Sequence, residues 1–330
     1  LKDPAKLMKA QVSLWQNYMS LWQTAVRSAT GEDVAPVVHP AKGDNRFRDE
    51  AWNDDGLFDF IKQSYLMTAR WVQNAVKDVD GLEKKTAEKI DFYTRQYVDA
   101  LAPSNFLITN PKVLKETFET KGENLLKGLE NLLDDLERGK GKLSIKMVDE
   151  DAFEVGGNIA TTPGKVVFQN DLIQLLQFEP TTETVTEVPL LIIPPWINKY
   201  YILDLREKNS FIRWAVSQGL TVFCISWVNP DAKLAEKSFE NYMVEGPLAA
   251  LAAIEAATGQ RNANVIGYCL GGTLLAATLA CMRANGDDRV TSATFFTSMV
   301  DFEEPGELGV FIDDYQLSII DEKMEERGYL

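Results

Sequence analysis

Histidine is nearly missing from this chain: 330 residues contain one, His39. Chemistry that needs an imidazole base must find it there or do without. Cysteine is scarce too, and Cys224, Cys269 and Cys281 lie in apolar segments without the paired spacing of a metal site. That excludes a disulfide scaffold, argues against a metal cofactor, and fits thiols kept reduced in a cytoplasm. No apolar run reaches the roughly 20 residues that span a bilayer, and the N-terminus, which starts at Leu1 instead of methionine, lacks a signal-peptide core. Basic residues are the minority charge, 34 against 49 acidic, and the formal net of −15 opposes nonspecific attraction to nucleic acid or an anionic membrane. Asp301 to Leu330 alone carries ten carboxylates against Lys323 and Arg327, which reads as a solvated face. Internal repeats and low-complexity tracts are absent.

What is present is enough apolar residue, 45% of the chain, for a substantial globular core. Residues 1–150 read as a helical domain in which strand-like runs are nearly absent. Met8, Val12, Trp15, Met19, Trp22 and Val26 recur at steps of four and three, a wide apolar stripe that something must cover. A polar, proline-bearing loop from Gly31 to Asn53 precedes a helix over Leu57 to Val79, where Leu57, Phe60, Ile61, Tyr65, Thr68, Val72 and Val76 share a face. A further helix spans about Thr86 to Ala102. Asn110-Pro111 supplies an N-cap and a first-turn proline for one running toward Arg138 and ending at Gly139-Lys-Gly141.

Residues 151–298 change character. Runs at Lys165 to Gln169, Leu172 to Phe178, Val188 to Ile193, Thr221 to Trp227, Asn264 to Tyr268 and Val290 to Thr297 read as strands. Helical stretches at Phe211 to Gln218, Phe239 to Ala257 (disturbed at Gly246-Pro247) and Thr273 to Arg283 separate the later ones. Strands alternating with helices predict an α/β fold: a mostly parallel sheet covered on both faces.

The densest chemical signal is Asn264-Val-Ile-Gly-Tyr-Cys-Leu-Gly-Gly272, a strand running through Gly267-x-Cys269-x-Gly271-Gly272 into a helix. That is the pattern of a nucleophile elbow, with Gly267, Gly271 and Gly272 where backbones pass too close for side chains. The Leu270 amide, at a helix start, can donate to an oxyanion, and a second donor is expected from the loop after the third strand, at Ile197. A cysteine nucleophile forms a thioester, so exchange with a thioester substrate is nearly balanced and acyl transfer is favoured over hydrolysis. The glycine spacing fits neither a dinucleotide fingerprint nor a phosphate loop. Cys224 and Cys281 read as packing residues.

Gly267-Tyr-Cys-Leu-Gly-Gly272, Pro194-Pro-Trp-Ile-Asn-Lys-Tyr-Tyr-Ile-Leu-Asp-Leu205 and Ser226-Trp-Val-Asn-Pro-Asp231 together resemble class I polyhydroxyalkanoate synthases, which polymerise 3-hydroxyacyl-CoA. The likeness extends through Phe47-Arg-Asp-Glu-Ala-Trp52 and Gln63-Ser-Tyr-Leu66 and covers essentially the whole chain. It implies an α/β-hydrolase core and Cys269 as carrier of the growing acyl chain. It also implies coenzyme A thioester as substrate with no separate cofactor, an N-terminal domain serving homodimerisation and granule association, and a cap beginning in residues 299–330. The expected place in the cell is the cytoplasm, at polyester granules. In such synthases the catalytic aspartate and histidine follow later strands, and neither maps to a position here. His39 precedes the core and reads as a surface histidine; Asp301 and Asp313 are acidic and no more. The chain is therefore expected to be an N-terminal portion, inert alone, whose sheet ends in an unpaired edge at Val290 to Thr297.

Two other readings compete. A cysteine-dependent α/β-hydrolase of small esters or lactones would release soluble free acid instead of polymer. A non-catalytic granule-binding module would use the Trp15/Trp22 stripe to dock on a partner helix or on polymer, where the plain alternative is packing onto the chain's own core.

Overall fold

The computed structural model describes residues 4–77, 79 and 81–328, which divide into two compact units. One runs to Met147 and includes Gly306–Phe311; the other comprises Val148–Pro305 and the chain from Ile312 onward.

The first unit is helical: α1 (Pro4–Ala29), the short α2 (Ala51–Asp54), α3 (Gly56–Lys77), α4 (Lys84–Ala100), α5 (Pro111–Glu119) and α6 (Glu123–Arg138). Its small core gathers Leu21, Val38, Phe47, Trp52, Leu66 and Met67. Two buried polar residues of α3 hold the loop before it. Lys62 Nζ donates to Trp52 O (2.9 Å) and Asn53 Oδ1 (2.7 Å) and pairs with Asp59, while Gln63 Oε1 accepts from the Val37 and Val38 amides. The Val37 and Val38 amides of the loop and the Trp52 carbonyl of α2 thereby gain partners from buried side chains.

The apolar stripe of α1 is not covered by this unit. Met8, Val12, Trp15, Met19, Trp22 and Val26 are all at least half exposed; α1 meets α3 mainly through another face, with Leu21 buried and Tyr18 Oη bridging Thr68 Oγ1 (2.7 Å), while Trp22 at the stripe's margin touches Phe60 edge-on (6.0 Å). Periodicity located an apolar face correctly, but α1 has two and the smaller one packs. The expected helix from Pro111 toward Arg138 is also two helices. Lys121 and Gly122 take φ of 52° and 89°, closing α5 with a Gly122 N–H bond to Thr117 O (2.8 Å) before α6 begins. The anticipated cap is there: Asn110 Oδ1 accepts from the Lys112 and Val113 amides.

The second unit is built on a six-stranded sheet of order β1-β2-β4-β3-β5-β6. The strands are β1 (Gly164–Gln169), β2 (Ile173–Phe178), β3 (Leu190–Ile193), β4 (Val222–Trp227), β5 (Ala263–Tyr268) and β6 (Val290–Phe296). β1, β2 and β4 pair antiparallel, whereas β4, β3, β5 and β6 run parallel. The parallel centre reads as continuous apolar sequence because both faces are covered. Leu191 and Ile193 belong to one core with residues of α9 (Ala249–Thr258) and α10 (Leu270–Ala284), and Leu190 and Ile192 to another with residues of α7 (Phe211–Ser217). Between β4 and α9 lie α8 (Phe239–Met243) and a π-helical turn at Val244–Leu248 carrying Pro247, the disturbance visible in the sequence. β6 is an edge strand whose residues 291–295 are exposed, and the acidic C-terminal stretch forms α11 (Asp314–Arg327), with no buried residue and Asp313 as its cap. These elements make the α/β-hydrolase-like sheet expected from the sequence.

A buried carboxylate ties the approach to β1 to the connection after β3. Asp204 accepts from Thr162 N, Thr162 Oγ1 and Ser210 Oγ at 3.1, 2.7 and 2.5 Å, and Ser210 also caps α7. Three donors offset the cost of burying that charge.

Leu175→Ala, in the middle of the sheet, should lower unfolding free energy by about 2–5 kcal/mol, since a fully buried leucine leaves a cavity. Asn110→Ala should lower it by about 1 kcal/mol. Denaturant titration followed by circular dichroism measures both.

Candidate active site

Cys269 sits between β5 and α10 with φ 53° and ψ −122°, a positive-φ conformation that a residue other than glycine adopts only when its surroundings force it. Three contacts do so. The Cys269 amide donates to Phe296 O at the end of β6 (2.9 Å), and the Cys269 carbonyl accepts from Gly272 (2.9 Å) and Thr273 (3.2 Å) in the first turn of α10. Ser298 Oγ donates to Gly267 O and Thr273 Oγ1 to Met299 O, tying the chain after β6 to both arms of the elbow. Thr297, between Phe296 and Ser298, has φ 46°.

The glycines are there because space is not. A Cβ on Gly267 would lie 2.5 Å from Gly272 Cα, and one on Gly271 would lie 2.0 Å from Ile193 O. On Gly272 it would lie 1.8 Å from Ser298 Oγ. Each helix-side contact is with a neighbouring strand or its loop, so the spacing Gly-x-Cys-x-Gly-Gly encodes how closely α10 descends onto the sheet. The helix starts at Leu270, three residues earlier than the sequence suggests, directly after Cys269. Its first N–H groups, Leu270 included, have no intrahelical acceptor and favour negative charge at the sulfur or beside it.

The loop after β3 lies against this turn. Pro194 O accepts the Trp227 indole N–H at 2.8 Å, and Trp196 packs among Trp227, Tyr242 and Phe239 with centroids 6.0, 5.1 and 6.2 Å away. Ile197, the residue assigned a second oxyanion donor, has an exposed side chain, and among the described residues its N–H has no acceptor.

The cysteines differ sharply. Cys269 and Cys281 are half-buried, Cys281 within reach of Asn285 Nδ2, whereas Cys224 is completely buried. Desolvation first, then the Asp204 charge, pushes the Cys224 thiol far above its ordinary range, so it stays protonated and inert. Among the described residues no side chain hydrogen-bonds the Cys269 sulfur, and no group of three or more histidine, cysteine or carboxylate side chains could hold a metal. His39 is exposed on its loop in the helical unit. Asp301 accepts from the Glu303 amide, a local turn. An open groove of roughly 510 Å³ lined by Val72, Ile90, Tyr93 and Tyr97 belongs to the helical unit and does not include Cys269. Among the described residues no helix is long and apolar enough to cross a membrane.

Sequence reasoning found the elbow and its glycines but missed the ring cluster and the bonds from Ser298 and Thr273, since contacts across 15 or more residues leave no local pattern. Trp227 stood inside a quoted motif, Ser226 to Asp231, without a role.

Residues 43–215 match the family model described as poly-beta-hydroxybutyrate polymerase (PhaC) N-terminus. A poly(3-hydroxyalkanoate) polymerase of Methylorubrum extorquens is 49% identical over 330 residues, covering 100% of this chain and 54% of that protein. The polymerase subunit of Rhizobium meliloti (strain 1021) is 48% identical with the same coverage, and that of Cupriavidus necator 40% identical over 94% of this chain and 51% of its own length. The chain thus spans about half the length of these curated relatives. With the elbow in place and the family model matched across the junction of helical unit and sheet, the chain belongs to the poly-beta-hydroxybutyrate polymerase (PhaC) family and corresponds to an N-terminal portion of such a polymerase.

Proposed function

We propose that the full-length protein is a polyhydroxyalkanoate synthase, an acyltransferase that polymerises 3-hydroxyacyl-CoA with release of coenzyme A, and that Cys269 is its nucleophile. The observation that carries the reading is a cysteine held at positive φ on the strand-to-helix turn of a member of this family. In the proposed reaction the Cys269 thiolate attacks the carbonyl carbon of the acyl-CoA thioester. The tetrahedral intermediate collapses, the bond to coenzyme A sulfur breaks, and that sulfur takes up a proton. The acyl group now sits on Cys269 as a thioester, so little free energy is lost. The hydroxyl of a second 3-hydroxyacyl unit then attacks the acyl-enzyme, gives up its proton and regenerates the thiolate, leaving an ester.

In this scheme the Leu270 and Ile197 amides stabilise the oxyanion in both halves of the cycle. Two proton transfers need a base, and among the described residues no side chain hydrogen-bonds the sulfur to serve as one; the 330-residue chain alone is therefore proposed to be inert. The partners that accompany this reading are acyl-CoA, the growing polyester, a second copy of the chain and the surface of a cytoplasmic polymer granule.

Cys269→Ala in the full-length protein should cut coenzyme A release from 3-hydroxybutyryl-CoA on the order of 10³-fold or more, with the fold intact by circular dichroism. Undiminished release would remove Cys269 from the mechanism. Product analysis completes the test: insoluble polyester is expected, and soluble 3-hydroxy acid as the sole product would replace synthase by hydrolase.

A further inference from the structure

We propose that Trp227 is a positioning residue for acyl transfer: its indole N–H fixes the Pro194 carbonyl and so sets the path of the backbone that carries the Ile197 donor. The inference rests on the thioester-transfer reading above. β3 ends at Ile193 and is followed by two prolines. Neither Pro194 nor Pro195 has an N–H, so the chain leaving the strand can be held only by its carbonyls or its rings. The Pro194 carbonyl oxygen is held by Trp227 Nε1 at 2.8 Å in a buried bond. Its carbon lies 2.9 Å from where a Cβ on Gly271 would stand, so the same peptide group lies against the first turn of the nucleophile's helix. One carbonyl thereby registers the loop against both β4 and α10.

The indole is itself immobilised. Its ring lies 5.3 Å from Tyr242 at 31° and 6.0 Å from Trp196 at 80°, and a Cβ on Gly246 would come within 2.5 Å of its Cη2. The π-helical turn at Val244–Leu248 brings that glycine against the ring. Trp196, the residue immediately before Ile197, is gripped in turn by Tyr242 and Phe239. A shift of Pro194 would pass to Ile197 through two residues, one of them clamped. Misplacement of a donor by about 1 Å can cost about 100-fold in rate.

Two reactions of the same sulfur separate positioning from general damage. Acylation of Cys269 by 3-hydroxybutyryl-CoA passes through an oxyanion; alkylation by iodoacetamide is a direct displacement at carbon and does not. In the full-length protein, Trp227→Phe, which keeps an aromatic ring and loses the donor, should slow acylation about 10- to 100-fold while alkylation stays within about twofold. Trp227→His places Nε2 at the indole nitrogen's position in a five-membered ring, and should recover at least about fivefold of that loss. Acylation as fast in Trp227→Phe as in the wild type overturns the proposal, and so does an equal fall in both reactions, which would mean packing alone. A wild-type protein that gains no acyl mass on Cys269 sinks the thioester reading itself, and this inference with it.

Discussion

Between β3, β5 and the first turn of α10 the chain passes itself at separations that leave no room for a methyl group. Gly267 faces Gly272, and Gly271 faces the last carbonyl of β3. That crowding puts the start of a helix directly on the end of a strand, which is what forces Cys269 into positive φ and turns its side chain out of the sheet's regular alternation. The strain is affordable because it is distributed: β6 accepts the Cys269 amide, Ser298 reaches Gly267 O, and Thr273 bonds the chain after β6. Remove the tight descent of α10 and the helix N-terminus, the sulfur and the loop after β3 lose their common reference.

The sheet's two cores serve the same end differently. The face carrying Leu191, Ile193, Leu274 and Leu275 anchors α10, and hence the elbow, with residues that are almost completely buried. The opposite face packs α7 against Ile192, Val222 and Cys224, and its polar edge is closed by Asp204 through Thr162 and Ser210. The connection after β3 is therefore fastened at both ends, by Trp227 at Pro194 and by this carboxylate at Asp204. Between them the chain around Ile197 is exposed. A short exposed span between two rigid anchors keeps its amide accessible and its position defined.

How much of this was legible in advance depended on range. Motifs whose physics is local could be read directly: the Asn110-Pro111 cap, the disturbance at Gly246-Pro247, the parallel strands' apolar runs and the glycines around Cys269. The Pro111-to-Arg138 segment misled because its apolar period continues past Gly122, and only the backbone at Lys121 and Gly122 reveals the break. The α1 stripe misled for a different reason. Periodicity reports that a face is apolar, not that it is covered, and Leu21 on the other side is the residue that packs. Lys62 of α3 is buried against α2 through Trp52 O, and Gln63 against the loop through the Val37 and Val38 amides, and nothing in a hydrophobic pattern marks such a lysine.

The three thiols are distinguished by their places in the fold, not by residue type. Cys224 is surrounded by Ile192, Val222 and Ile266 in a dry core, where ionisation would strand a charge without solvent or donor; desolvation and the nearby Asp204 both oppose it. Cys281 lies eleven residues into α10, past the turn where free N–H groups are available, and its one polar neighbour is a weakly placed amide. Cys269 alone combines partial exposure, a helix start and a backbone that cannot relax. What sets Cys269 apart from the other two thiols is therefore the fold's tightest crossing, and the residue type supplies only the atom.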